Sequence, residues 1–77
     1  MTKKPNIHTT HNNQDNKWRN ISEGASRAIK LYGTKTEAQA DGREIARERG
    51  VEHLIHNENG QIAQRNSYGH DPRKIQG

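Results

Sequence analysis

The chain has 77 residues and a mass of 8.8 kDa, enough for one small domain with tails, and its mean hydropathy of -1.39 reflects a sequence with no apolar run of the ~20 residues a membrane helix needs. It carries a formal charge of +4 from 13 Lys and Arg against 9 Asp and Glu. Without cysteine it has no disulfides, thiolate metal sites or cysteine nucleophiles, and with no signal-peptide pattern in Met1–Asp15 the expected location is cytoplasmic.

Residues 1–6 lack hydrophobic periodicity and are expected to form a disordered tail. Ile7–His11, Lys17–Ser22 and Arg27–Tyr32 each have strand length and β-favouring residues. The turn-forming stretches Asn12-Asn13-Gln14-Asp15-Asn16 and Glu23-Gly24-Ala25-Ser26 separate them, which predicts a three-stranded meander. Ala25, Ala28, Ile29 and Leu31 also nearly fit a helical face. Gly24 and Gly33 bracket too short a segment for a typical helix, however, so the strand reading is preferred.

Thr34-Lys35-Thr36-Glu37 is a capping box, in which the threonine hydroxyl accepts from the third helical amide and the glutamate reaches back to the Thr34 amide. No proline interrupts Glu37–Arg49, and Gly50 stands where a left-handed residue ends a helix, so a helix is predicted over 35–49. Its inward stripe reads Ala38, Gly42, Ile45, Ala46 and the stem of Arg49. A mid-helix glycine costs about 1 kcal/mol relative to alanine, so Gly42 is read as permitting close approach to a sheet.

After Gly50 the period changes to two, and Glu52–His56 and Gln61–Asn66 read as strands. Between them, Asn57-Glu58-Asn59-Gly60 ends in Asn-Gly, the strongest short hairpin signal because both residues tolerate positive φ. Residues 70–77 are expected to be a flexible tail. The result is a single α+β domain over 7–69, of order β-β-β-α-β-β, with one helix packed on a largely antiparallel sheet. Ten Leu, Ile and Val with no Phe make a thin core, and a homodimer burying a second apolar face is a physical expectation.

All the excess positive charge precedes the helix, where residues 1–33 hold six Lys or Arg against two acids. On the meander, Lys17, Arg19, Arg27 and Lys30 project from two neighbouring strands, as a sheet presenting cations to phosphates would arrange them. Trp18 is read as the largest core side chain rather than a stacking platform. His8 with His11 and His53 with His56 are three apart, a spacing that puts the rings of each pair on opposite strand faces, so no metal site is expected. Ser22, Ser26 and Ser67 sit in no nucleophile motif and no phosphate loop is present, so neither a catalytic residue nor a cofactor is assigned and the chain is read as a non-enzyme.

Trp18, Glu23-Gly24-Ala25-Ser26-Arg27-Ala28, Thr34-Lys35-Thr36-Glu37-Ala38, Leu54-Ile55-His56, Asn59-Gly60 and Arg65-Asn66-Ser67-Tyr68-Gly69-His70-Asp71-Pro72 form an ordered set. As a set they resemble a small prokaryotic family, domain of unknown function 2188, across roughly residues 7–72. The resemblance implies a compact α+β domain with no established activity and no catalytic residues to carry over. Asn20, where the family usually has an aliphatic residue, and Thr9-Thr10, where it favours apolar ones, lead to the expectation of a less well packed first sheet. Tyr68 is a candidate recognition residue, although the preferred alternative folds it back over the sheet while Gly69 and Pro72 shape the exit turn. The function expected is that of a small cytoplasmic interaction module for an unidentified protein partner. The competing class is a sheet-based nucleic-acid binder using the basic face.

Overall fold

The computed structural model of the chain describes residues 5–68, so the expected tails, apart from Pro5 and Asn6, and the exit turn at Gly69–Pro72 lie outside the described residues. Six elements follow in the expected order: β1 (Ile7–Asn12), β2 (Lys17–Ser22), β3 (Ala28–Tyr32), α1 (Lys35–Arg49), β4 (Glu52–His56) and β5 (Ile62–Ser67). The strands form one five-stranded sheet in the order β3-β2-β1-β4-β5. An antiparallel meander (β1 to β3) and an antiparallel hairpin (β4 and β5) meet along one parallel seam between β1 and β4, where Ile7 stands opposite His53. The helix packs on β1, β2, β3 and β4 from one side, and no element among the described residues covers the other. No helix here is long and apolar enough to cross a membrane.

Local chemistry explains the ends of these elements. Thr34 is extended (φ -133°, ψ 158°), and its hydroxyl accepts from the Glu37 amide at 3.2 Å. Gly50 is left-handed (φ 69°, ψ 45°), and the Val51 amide then returns to the Ala46 carbonyl at 3.0 Å, closing the helix. In the β4–β5 loop the Gly60 amide bonds the Asn57 carbonyl at 2.9 Å. Gly60 alone takes positive φ (91°) and Asn59 does not. The hairpin therefore closes through a longer loop ending in a left-handed glycine, not through a two-residue turn with both residues left-handed.

Two apolar clusters fill the space between helix and sheet. Ile7, Ala46 and Val51 form one, with Ile45 and Tyr68 packed against it. Trp18, Tyr32 and Ala38 form the other, and the Tyr32 hydroxyl donates to Asp41 of the helix at 2.5 Å. Burial and that bond raise the Tyr32 phenol above its ordinary range. Arg49, expected to lay its stem inward, is exposed at the helix end, where its guanidinium donates to Ser22 Oγ at 3.1 Å.

Thr9, Asn20 and His53, all fully buried, form a polar layer in the core. The Asn20 amide nitrogen donates to the Ala38 carbonyl at 2.9 Å, so its oxygen is the acceptor for the Thr9 hydroxyl at 2.5 Å. With its proton committed to Asn20, the Thr9 oxygen accepts from His53 Nε2 at 2.6 Å, which fixes the His53 tautomer. A directed chain of bonds thus runs from β4 through β1 and β2 into the helix backbone. The expectation of a weakened sheet at Asn20 and Thr9 is corrected here: both are bonded members of a buried network that ties the helix down. Gly42 makes that contact possible, because a Cβ there would lie 2.5 Å from Asn20 Oδ1, 2.7 Å from His53 Nε2 and 2.8 Å from Thr9 Oγ1.

Candidate functional site

Alternation along the strands puts His8, Thr10, Lys17, Arg19, Ile21, Leu31, Leu54 and His56 on the uncovered face. The parallel seam sets His8 beside Leu54, one pleat from His56. Across it His8 Nδ1 and His56 Nε2 lie 2.9 Å apart, although 48 residues separate them in the chain. Ring centroids 5.1 Å apart with a 32° tilt describe rings that meet nitrogen to nitrogen, not stacked faces.

The hydrogens of this pair follow from its outer partners. His56 Nδ1 faces the Gly60 carbonyl at 3.0 Å; a carbonyl only accepts, so Nδ1 carries the proton and Nε2 of the neutral ring is a lone pair. His8 Nδ1 must then donate to it, which leaves His8 Nε2 as the outward lone pair, 4.0 Å from Glu23 Oε1. Glu23 is placed just beyond β2 by its own amide, which bonds the Asn6 carbonyl at 2.8 Å. Burial, followed by the neighbouring His56, lowers the His8 pKa below the ordinary 6.5, and Glu23 opposes the shift. His8 is therefore neutral at pH 7.

Around it lies a shallow groove of about 420 Å³, lined also by Thr10, Arg19, Ile21 and Gly24. Arg19 is oriented there by a bond from its Nε to Thr10 Oγ1 at 3.3 Å. Chemically the groove offers two hydrogen-bonded imidazoles together with a guanidinium and a carboxylate. Ser22 also borders it, but its hydroxyl is engaged by Arg49.

The candidate binding residues are dispersed. Lys17 and Arg19 share the uncovered face, whereas Lys30 lies in register with Asn20 on the helix side, its ammonium 5.6 Å from the centre of the Tyr32 ring. Arg27 is exposed in the bend before β3, which begins one residue later than expected. Lys30 pairs with Asn20 in the regular part of the β2–β3 ladder, so register alone puts it on the helix side, and the irregularity that leaves Ile29 unpaired lies beyond it. The expected basic face of Lys17, Arg19, Arg27 and Lys30 is therefore split. Tyr68 takes the folded-back position, half-buried against the Ile7 cluster, with its amide bonded to the Val51 carbonyl at 3.2 Å.

His8 and His11 do fall on opposite faces, as do His53 and His56. The approach of His8 to His56 does not follow from spacing within a strand, because the two histidines lie on different strands, β1 and β4. A signal was nonetheless present in the sequence: each histidine sits beside aliphatic residues in a segment of strand length, as Ile7-His8 and Leu54-Ile55-His56.

The profile of a family described as "Uncharacterized protein conserved in bacteria (DUF2188)" matches residues 7–68. No curated protein and no solved structure matches the chain.

Proposed function

Starting from the fact that the chain belongs to the bacterial DUF2188 family, we propose that it is a non-enzymatic cytoplasmic module that docks a protein partner on the uncovered face of its sheet. The one-sided layering carries this reading. A sheet face carrying Leu31, 49% exposed, next to Arg19 and the histidine groove is surface of the mixed apolar and polar kind that protein contacts use. The chain's one Trp and both Tyr lie on the helix side, so the uncovered face has no Trp or Tyr ring on which a nucleobase could stack. Of the four candidate cations, that face holds Lys17 and Arg19, and the further cation opposite Leu54, Arg65, is paired with Glu52 at 3.5 Å. The non-enzymatic part of the reading is supported by the groove, where the Ser22 and Thr10 hydroxyls are engaged by Arg49 and Arg19. The same face could take a second copy of the chain, which a solution mass would reveal.

Capture from bacterial lysate, with and without nuclease, tests the reading. Protein retained after nuclease, insensitive to moderate salt and lost from Leu31→Glu but not from a Glu48→Lys control on the exposed helix surface, is the expected result. Loss of the captured material with nuclease, and a steep fall between low and moderate salt, would instead identify the nucleic-acid binder. Capture unchanged by Leu31→Glu would overturn the assignment of the face.

A further inference from the structure

We infer that His8 and His56 are the two protein ligands of a site for a borderline divalent transition ion of the zinc type. The inner nitrogens face each other across the seam between β1 and β4, 2.9 Å apart. Their outer nitrogens both face oxygens: His56 Nδ1 the Gly60 carbonyl at 3.0 Å, and His8 Nε2 the Glu23 carboxylate at 4.0 Å. Imidazoles that bind metals are oriented in this way, with the far nitrogen held by a backbone carbonyl or a carboxylate.

The distances fit with small adjustment. Zinc–nitrogen bonds of about 2.0–2.1 Å in a tetrahedral arrangement put two ligand nitrogens roughly 3.3 Å apart and their ring centres roughly 5 Å apart. The ring centres here are already 5.1 Å apart, so the rings need to pivot, not separate. The protons balance as well. In the neutral pair a single hydrogen lies between the inner nitrogens, on His8 Nδ1. When an ion takes its place, that hydrogen passes to His8 Nε2, where Glu23 accepts it, and both rings remain neutral. Among the described residues no third His, Cys, Asp or Glu completes a group of three, so the remaining positions open to the groove and are filled by water or by a donor from a partner. The two-ligand site does not depend on what docks around it.

The test is a titration of the full chain with zinc chloride at pH 7.5, followed by calorimetry and by nitrogen-15 spectra of the imidazole rings. One ion per chain is expected, with the hydrogen of His8 moving from Nδ1 to Nε2 and that of His56 staying on Nδ1. His56→Ala should weaken binding at least tenfold, Glu23→Gln about tenfold, and His11→Ala not at all. Zinc that leaves the His8 and His56 ring signals unmoved, or that binds His56→Ala as tightly as the parent, would overturn the assignment. The ring spectra of the unaltered chain decide the question even if a variant fails to fold.

Discussion

Gly42→Ala is expected to destabilise the protein by about 3 kcal/mol, although alanine is the better helix former by about 1 kcal/mol. The added methyl would sit 2.5–2.8 Å from Asn20 Oδ1, His53 Nε2 and Thr9 Oγ1. None of these is the free end of a flexible side chain, since all three residues are fully buried and bonded to one another. Either the helix lifts, loosening both apolar clusters, or the network breaks and leaves buried polar atoms without partners. Overpacking costs about 1–3 kcal/mol and each orphaned buried group about 1–3 kcal/mol, so the loss exceeds the propensity gain. A domain of this size has only several kcal/mol of stability in all. Gly33→Ala is the matched control: a Cβ there meets nothing within 4 Å, and urea midpoints should separate the two variants clearly. Equal midpoints would mean that the helix does not rest on the polar layer.

Acidification is expected to remove a comparable amount of stability through His53. Its Nε2 donates to Thr9, and its Nδ1 is buried with no partner, so a second proton would place a charge in the core. Burial first, then Arg43 on the helix and His8 on β1, lower its pKa from 6.5 to about 4. Thr9 and Asn20 face the ring from β1 and β2 without charge. A histidine with a lowered pKa binds its proton more readily in the unfolded chain, so its contribution to stability is complete above pH 6.5. It is lost as the pH falls toward 4, at up to ~1.4 kcal/mol per pH unit and about 3 kcal/mol in total. The lowered pKa of His8 acts in the same direction. Urea unfolding at pH 7.5 and 4.5 measures the difference. Stability that stays level or rises on acidification would contradict the buried neutral ring.

These two effects also mark where the sequence was legible. The caps at Thr34 and Gly50 act within one helical turn, so local chemistry sets the bounds Lys35–Arg49. Likewise, period and turn residues placed all five strands to within a residue at either end. Gly42 could be read as a point of close approach because a mid-helix glycine needs a reason. What it approaches could not be read, since Thr9, Asn20 and His53 come from three strands whose pairing is non-local. Asn20 looked like a packing fault for the same cause: a polar residue at a core position is a fault or a clasp depending on partners that only the fold supplies. The His8–His56 pair depends on the parallel seam, for which the long stretch of chain between β1 and β4 gives no local register signal. The split of Lys17, Arg19, Arg27 and Lys30 follows from alternation itself, which puts Arg27 and Lys30, three apart, on opposite faces, and from the β2–β3 register that pairs Lys30 with Asn20.

A sheet covered on one side and free on the other is the premise of both the docking face and the metal site. Relaxation of methyl signals by a soluble paramagnetic agent tests it directly. Leu31, 49% exposed on the uncovered face, should broaden strongly, while Ile7 and Ile55, at 0% and 2% beneath the helix, should stay sharp. A sheltered Leu31, or broadened Ile7 and Ile55, would contradict the one-sided arrangement.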